Sequence, residues 1–353
     1  MNLKNKPLLS ICIPTFNRCD KVFELVSNIL NYQGTDIEVV VVDNCSSDNT
    51  KVLLEKIHDF RFKYILNTEN IGGVLNVLKV ITESTAEYSF LCLDKDYVDF
   101  DKIPNLIKRI RANREIIFGY CSLNLAEEKE DEIYEKGFNS VLNMAFLAKH
   151  PSGYFYKTEF YKSSKIVAKL FKDNSTFEFN FELINAEMSF EGRSMVINTP
   201  LFYTEKKSDC AKVPSFTYSK SNLYFEPLNR FKEYLVYVRS ISGLSLSEKE
   251  KYRLVRLLYL KALSSSTIGY KGILADESVC LHHGIATRKI GISELIQINI
   301  KFTTLLHRED ILINGFGKFQ IWFLAHLKVL ILLLGNYFKG FVKVLIKINP
   351  RKC

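Results

Sequence analysis

The segment IEVVVVD, residues 37–43, decides the fold class of this chain. Its β-branched residues follow one another without a regular alternation of polar and apolar positions. That pattern is typical of a strand that is buried on both faces. Such strands occur in parallel sheets that are covered by helices, and Asp43 marks the end of this one. The segment therefore predicts an α/β domain.

Similar apolar runs flank this segment, and helical patterns separate them. The predicted strands are residues 8–13, 37–42, 62–66 and 88–93. Apolar residues recur at helical spacing from Val22 to Leu30. Residues 46–48 are good caps for a helix that extends to about His58, and the pair Gly72-Gly73 opens another helix. The first 125 residues thus predict a βαβ arrangement.

Polar residues follow the first, second and fourth strands. They are residues 15–18, 43–46 and 94–96. Ligands of open α/β sheets bind beyond the carboxyl ends of the strands, so we expect these residues to converge on one crevice. The cluster is acidic, and the GxGxxG motif of a dinucleotide site is absent after the first strand. Carboxylates here suit Mg²⁺ or Mn²⁺ together with the phosphates of a substrate.

Four segments carry a family resemblance because they occur together, in this order and at these distances. They are SICIPTFNR, EVVVVDNCSSDNT, NIGGVLNVLKVI and FLCLDKDYVD. Together they resemble the nucleotide-binding half of a family-2 glycosyltransferase with the GT-A fold, over roughly residues 8–205. The resemblance implies a Rossmann-like, mostly parallel sheet flanked by helices. It also implies an inverting transferase that uses a nucleoside-diphosphate sugar with Mn²⁺ or Mg²⁺, nearest to bacterial enzymes of capsule or lipopolysaccharide synthesis.

The resemblance also implies a set of nucleotide-sugar-binding residues. They are Pro14, Thr15, Asn17, Arg18, Asp43, Asn70, Gly72, Asp94, Lys95, Ser152 and Gly153. Asp43 matches the aspartate that accepts a hydrogen bond from the base. Asn70 and Gly72 precede a helix whose free N–H groups can receive an anion, although a plain glycine turn explains them equally well. Ser152 and Gly153 fit either a loop beside the donor sugar or an ordinary turn.

Asp94-Lys95-Asp96 lies where the family has its DxD motif. The resemblance implies that Asp96 ligates the metal and that Asp94 contacts the ribose or a metal-bound water. Lys95 departs from the family pattern. It either points to solvent or lies against the diphosphate, where it would partly replace the cation. A metal-independent transferase that uses Lys95 is therefore an alternative.

An inverting transfer needs a general base for the acceptor hydroxyl, and a carboxylate is the usual choice. Glu182 and Glu178 are the candidates, and Glu182 lies nearer the expected place when measured back from Gly192. The family's Glu-Asp pair is absent, so a solvated helix carboxylate is the competing interpretation. This absence, together with Lys95, supports a second hypothesis: a catalytically silent nucleotide-sugar or glycan-binding subunit of a membrane-associated assembly.

Charge separates the end of the chain from the rest. The net charge is +9, and residues 311–353 carry seven basic residues and no acidic one. We predict a transferase domain at 1–205, a helical extension at 206–310 and a basic amphipathic tail at 311–353. The uncharged runs of the tail are shorter than the roughly 20 residues needed to span a bilayer. Helices that lie on an anionic membrane surface fit better, with a buried helix or an oligomer contact as alternatives.

Composition limits the remaining classes. With 47% hydrophobic and 25% charged residues, the 353-residue chain can bury a large core, which excludes a disordered protein. Eight scattered cysteines without a CxxC pair predict reduced thiols of a cytosolic protein. Basic residues interleaved with aliphatic runs argue against nucleic acid as a partner. Together with the reduced thiols and the basic tail, the resemblance implies a cytoplasmic enzyme, peripheral at the inner face of the cytoplasmic membrane, with a lipid-linked or growing glycan as acceptor.

Overall fold

The computed structural model describes most of the chain. The described residues are 6–147, 149–177, 180–204, 223–308 and 315–334. The chain divides into two compact units, Met1–Asp209 and Cys210–Cys353. Glu178 and most of the tail that we predict to be membrane-associated lie outside the described residues. The three-part division predicted from the sequence stays a prediction.

A nine-stranded mixed sheet forms the centre of the first unit. Its strands are β1 (Leu9–Thr15), β2 (Ile37–Asp43), β3 (Phe62–Leu66), β4 (Tyr88–Leu91), β5 (Tyr97–Val98), β6 (Ile116–Leu123), β7 (Glu132–Tyr134), β8 (Tyr154–Lys157) and β9 (Arg193–Tyr203). The order is β3-β2-β1-β4-β8-β6-β9-β5, and β7 pairs with β9. The first four strands in this order are parallel, and β8 runs antiparallel to both β4 and β6.

Helices cover both faces of this sheet. They are α1 (Cys19–Leu30), α2 (Thr50–Leu54), α3 (Gly73–Thr82), α4 (Ile103–Ala112), α5 (Phe138–Met144), α6 (Thr158–Ser163), α7 (Lys165–Lys172) and α8 (Asn180–Met188). Val39 and Val41 of β2 belong to one core cluster, with apolar residues of α1 and α4. Val40 and Val42 belong to the other, with residues of α3, α7 and α8. A fully buried valine stabilises the fold by about 1.5–3 kcal/mol, which explains why the run in β2 is apolar on both faces. The sheet with helices on both faces confirms the predicted α/β class.

The helix predicted to follow β2 is shorter than expected. We expected it to reach about His58, but α2 ends at Leu54. The segment beyond it turns so that Arg61 donates a hydrogen bond of 2.9 Å to the carbonyl of Leu30, at the end of α1. Asp48 accepts hydrogen bonds of 3.0 Å from the backbone N–H groups of Cys19 and Thr50. One carboxylate therefore serves the starts of two helices.

The second unit is helical, as predicted for the C-terminal extension. Its helices are α9 (Pro227–Ser242), α10 (Glu248–Ser264), α11 (Tyr270–Ala275), α12 (Glu277–His282), α13 (Ile292–Arg308) and α14 (Gly315–Leu334), with a π-helical turn at Ser265–Gly269. A capping box begins α10, with reciprocal hydrogen bonds between Ser247 and Glu250. Helix α10 packs against α9 and α14. Within the described ranges, none of the helices has the length and apolar character that a membrane crossing requires.

Candidate active site

The polar residues predicted to converge do lie together at the carboxyl edge of the sheet. Thr15, the last residue of β1, pairs in register with Asp43, the last residue of β2. The backbone N–H of Asn44 donates to the carbonyl of Thr15 at 2.9 Å, and that of Cys92 donates to the carbonyl of Cys12 at 2.9 Å. The loops after β1, β2 and β4 therefore leave the sheet side by side.

Asp94 joins the loop after β4 to the loop after β1. Its carboxylate accepts a hydrogen bond of 2.9 Å from the Thr15 hydroxyl and forms an ion pair with the guanidinium of Arg18. Asp94 is 5% exposed, and burial raises the pKa of its carboxyl. The neighbouring Arg18, Thr15 and Lys95 oppose that rise in pKa. Asp94 thus orients Arg18 at the rim of the crevice.

Asp96 is the most enclosed acid of the DKD segment, with 1% of its surface exposed. Its Oδ2 lies 2.6 Å from Nε2 of His150 and accepts a hydrogen bond from the hydroxyl of Ser152. The Ser152 hydroxyl also accepts a hydrogen bond of 2.9 Å from the N–H of Leu93. Ser152 is fully buried, so it acts on this site by holding Asp96. His150 is 29% exposed and reaches the crevice itself.

Gly153 allows the loop that carries His150 to approach the DKD segment. Its φ is +97°, a conformation that other residues adopt rarely. A Cβ atom at this position would lie 2.4 Å from the carbonyl oxygen of Cys121. The N–H of Gly153 donates to Leu91 at 2.9 Å, and its carbonyl accepts from Cys121 at 2.7 Å. The backbone of residue 153 therefore fills the space between β4 and β6.

Asp43 is fully buried and already has two protein partners. Its Oδ1 accepts a hydrogen bond of 2.9 Å from the N–H of Ser46, and its Oδ2 accepts one of 2.8 Å from the Tyr64 hydroxyl. Burial and the Asp43 carboxylate raise the pKa of Tyr64. Asp43 therefore organises the loop after β2. A base that bonds to this carboxylate has to share it with Ser46 and Tyr64.

Hydrogen bonds clamp the loops after β1 and β2 to each other. Asn17 has a φ of +53°, which turns its backbone N–H toward the hydroxyl of Ser46 at 2.8 Å. Its side-chain oxygen accepts a hydrogen bond of 2.8 Å from the N–H of Ser47. We had expected Ser46 and Ser47 to cap α2. They instead hold the loop that follows Pro14.

An asparagine network holds the loop before α3. Asn44 donates to Asn70 at 2.8 Å and accepts from Asn67 at 3.1 Å, and Asn67 also donates to Asn76 at 2.9 Å. Asn70 accepts the N–H of Gly72 at 2.9 Å, and Gly72 has a φ of +84°. Asn70 and Gly72 therefore lie in a rigid turn beside Asn44. Asn44 belongs to the predicted cluster at 43–46, whereas sequence reasoning missed Asn67 and Asn76.

The candidate bases occupy different surroundings. Glu182 is on the first turn of α8 and is 2% exposed, so a solvated carboxylate is excluded. Its charge contributes to the raised pKa values of the hydroxyls of Tyr154 and Tyr156, for which burial is the main cause. Glu178 lies outside the described residues. Next to Glu182, the side-chain oxygen of Asn180 is buried and has no hydrogen-bond partner within the part of the chain that is described.

The donor atoms of this edge fit a cation that a substrate diphosphate helps to hold. Among the described residues, no three His, Cys, Asp or Glu side chains group in a way that could hold a metal ion. Asp96 and Asp94 supply carboxylate oxygens and His150 supplies an imidazole nitrogen beside Asp96. Mg²⁺ and Mn²⁺ are commonly held by one or two protein carboxylates plus phosphate oxygens. The chemistry of these donors is therefore compatible with either ion.

Comparison with known families finds a match within the first unit. Residues 10–163 match the family model described as Glycosyl transferase family 2. The chain is 28% identical over 174 residues to a GalNAc(5)-diNAcBac-PP-undecaprenol beta-1,3-glucosyltransferase of Campylobacter jejuni, covering 47% of this chain and 55% of that protein. It is 30% identical over 104 residues to an abequosyltransferase of Salmonella typhimurium, covering 28% and 31%. The chain thus spans about a third to a half of the length of these relatives.

Solved structures show the same fold. The structure of residues 1–349 of S. aureus TarS with UDP-GlcNAc superposes with a TM-score of 0.54 at 16% identity, over 84% of this chain and 81% of that one. This likeness extends the agreement in fold beyond the residues that the family model matches.

Proposed function

The chain carries a glycosyl transferase family 2 domain of the GT-A fold over residues 10–163, and on this premise we propose an inverting transfer reaction. The protein moves a sugar from a nucleoside-diphosphate sugar to a surface-glycan acceptor. One observation carries the proposal: at one edge of the sheet Asp94 pairs with Arg18 and Asp96 with His150, while Asp43 lies beside the strand end that bonds to Asp94. Buried carboxylates beside an arginine suit a diphosphate and its cation.

The roles proposed for the donor site follow from these contacts. Thr15, Asn17 and Asp43 border the base and ribose, because they form the clamped loops after β1 and β2. Arg18, held by Asp94, faces the diphosphate as a fixed positive charge. Asn70 and Gly72 present the start of α3 to the same ligand.

Asp96, with Asp94 and His150 beside it, would hold a divalent cation. A bound Mg²⁺ or Mn²⁺ supplies positive charge to the leaving diphosphate. Ser152 and His150 keep Asp96 in place through its Oδ2. Lys95 lies close enough to Asp94 to lower its pKa, so it adds positive charge to this edge. A transferase that relies on Lys95 without a metal is the variant of the proposal that EDTA tests.

Glu182 is the proposed general base. The acceptor hydroxyl attacks the anomeric carbon as the bond to the diphosphate oxygen breaks, and the carboxylate takes the hydroxyl proton. A base has to touch the hydroxyl, and Glu182 is 2% exposed. The proposal therefore requires that substrate binding uncovers this side chain.

The proposed acceptor is a lipid-linked or growing glycan, and the proposed location is the inner face of the cytoplasmic membrane. The name of the Campylobacter relative places its own acceptor on undecaprenol diphosphate. Residues 311–353, with seven basic and no acidic residues, are proposed to bind the anionic membrane surface.

A second candidate is a catalytically silent nucleotide-sugar or glycan-binding subunit. The burial of Glu182 favours it, because a buried carboxylate without access to an acceptor cannot act as a base. The two candidates differ in turnover, while both predict nucleotide binding.

A thermal-shift panel of UDP-, GDP-, dTDP- and CDP-sugars, each with Mn²⁺ or with EDTA, tests the proposal. A ligand that binds only the folded state raises its unfolding temperature. We expect one nucleotide sugar to raise the unfolding temperature in the presence of metal. When an acceptor is added, we expect the sugar of that ligand to be transferred to it. Stabilisation without transfer to any acceptor, and unchanged cellular glycan synthesis in Glu182→Gln, would establish the silent subunit instead. No shift with any nucleotide would refute both.

A further inference from the structure

Helix α14 is apolar on nearly every side. Ile321, Ala325 and Val329 recur every four residues and are at most 2% exposed, so they form the buried row of a helix that packs against α10. Large apolar side chains also point away from this row. We call them the outer face: Phe319, Phe323, Leu324, Leu327 and Leu330, which are 42–52% exposed.

The outer face is continuous. At about 100° per residue, its five side chains fall within an arc of about 140° on the helix. Gln320 lies on the same arc and accepts a hydrogen bond of 2.9 Å from the Tyr252 hydroxyl. Isolated exposed apolar residues are common on protein surfaces, but a contiguous patch marks an interaction site.

Charge around the outer face points to its partner. Helix α14 contains Lys318 and Lys328 and no acidic residue, and residues 311–353 as a whole lack acidic residues. At about 100° per residue, Lys328 lies at the edge of the apolar arc. An apolar face with a lysine at its edge suits a helix that lies in the plane of a membrane, with that lysine extended to the headgroups.

A second copy of the chain fits this face less well. A two-fold symmetric contact places the same surface of each copy against the other. Lys328 would then lie at the rim of an apolar contact, and α14 of the other copy offers no carboxylate to pair with it. Anionic headgroups supply the missing negative charge.

Helix α13 repeats the pattern. Ile292, Ile296 and Ile300 recur every four residues and are 78%, 52% and 61% exposed. The indole N–H of Trp322 donates a hydrogen bond of 2.9 Å to the Thr303 hydroxyl, which ties α14 to α13. Two linked helices of the same unit thus each show an apolar row.

We propose that the outer face of α14 is the surface on which the protein docks to an anionic phospholipid bilayer, with α14 lying in the interface. This inference rests on the proposed function for the reason to dock, since a lipid-linked acceptor diffuses in that surface. It deepens the proposal by assigning binding to five apolar side chains in addition to the positive charge of the tail.

Trp322 is the only tryptophan of the chain, and it lies on α14, so the unmodified protein carries its own probe. The full chain is mixed with phosphatidylcholine vesicles that contain or lack phosphatidylglycerol. With the anionic vesicles we expect cosedimentation, a blue shift of Trp322 emission and quenching by lipids brominated in their acyl chains. Binding to neutral vesicles is expected to be weaker.

The double variant Phe323→Ser/Leu327→Ser is expected to lose vesicle affinity by at least about 10-fold, because two apolar side chains no longer enter the bilayer. Its matched control is Phe60→Ser/Val52→Ser, which removes side chains that are 83% and 54% exposed in the first unit. The control is expected to bind vesicles like the wild type. Equal vesicle binding by both variants would overturn the proposal.

Two further outcomes would also overturn it. One is a wild-type chain that does not bind anionic vesicles. The other is a wild-type dimer, measured by light scattering, that the double variant converts to monomer, since the outer face would then bind a second copy. Nucleotide-sugar thermal shifts on the same samples separate the two proposals. If vesicle binding is lost and nucleotide binding is retained, only the proposed docking surface is refuted. If nucleotide binding is lost and vesicle binding is retained, only the proposed transferase function is refuted.

Discussion

At the carboxyl edge of the sheet three carboxylates are buried, whereas on α14 five large apolar side chains are exposed. Asp43, Asp94 and Asp96 are at most 5% exposed, and each is held by hydrogen bonds from neighbouring loops. Charged side chains are usually exposed and large apolar ones are usually buried, and the two regions reverse this pattern in opposite ways. The edge gathers charged groups and hydrogen-bond donors, which suits a polar ligand. The outer face spreads apolar area over a helix, which suits an extended surface.

Separating the two regions by mutation should have the largest effect. Asp96→Asn is expected to lower sugar transfer by at least about 100-fold, because the carboxylate proposed to hold the cation at the diphosphate is lost. Its vesicle binding should equal that of the wild type, and Phe323→Ser/Leu327→Ser should show the reverse. The control for transfer is Asp101→Asn, which changes an exposed acid a few residues further along the chain. A variant that loses both properties together would contradict the separation.

Two glycines with positive φ test how tightly each region is packed. Gly153→Ala at the edge meets both an unfavourable φ and the Cys121 carbonyl at 2.4 Å, so we expect a loss of about 3 kcal/mol or more in stability. Gly284→Ala in the helical unit has a φ of +63° but no atom within 4 Å, so about 1–2 kcal/mol is expected. Calorimetric unfolding measures both, and equal losses would show that the edge tolerates a Cβ.

Removing one hydroxyl from each region compares their hydrogen bonds. Tyr64→Phe deprives the buried Asp43 carboxylate of a donor at 2.8 Å and should cost about 1.5–3 kcal/mol. Tyr252→Phe removes an exposed hydrogen bond of 2.9 Å to Gln320 and should cost less than about 1 kcal/mol. Denaturant titration of both variants gives the two values. A larger loss of stability in Tyr252→Phe than in Tyr64→Phe would mean that the hydrogen bond to Asp43 is not the stronger of the two.

The smallest expected effect is a pH response of the helical unit. Burial lowers the pKa of His326 below 6.5. Below that pH the unfolded chain gains a proton that the folded unit resists, so stability should fall as the pH drops through this window. His326→Gln should flatten the dependence in thermal unfolding measured at pH 7 and just below pH 6.5. An unchanged slope in the variant would assign the response to another group.

Residues close to the strand ends were predictable from the sequence, and their partners were not. Thr15, Asp43 and Asp94 follow apolar runs, and parallel strands end at one edge, so their convergence followed from the strand pattern alone. The contact between Asp96 and His150 joins residues 54 apart. It depends on β8 lying between β4 and β6, and strand order cannot be derived from hydrophobic periodicity.

Burial on α8 was also beyond the sequence pattern. Glu182 has the spacing of a surface carboxylate, but its helix is packed on several sides, as Phe181, Ile184 and Asn185 are all buried as well. Local periodicity cannot show whether the polar side of a helix meets solvent or another element. The sequence therefore left a solvated carboxylate open as the competing interpretation of Glu182.

The place of β8 has a consequence for synthesis on the ribosome. A nascent chain that ends near Leu123 has β4 at an open edge, because the strand that pairs with it consists of residues 154–157. Open strand edges invite pairing with other chains. The loop that holds Asp96 is also not yet made at that point. Until about 30 further residues have been translated, β4 therefore stays open to pairing with other chains, as expected of a partly made domain.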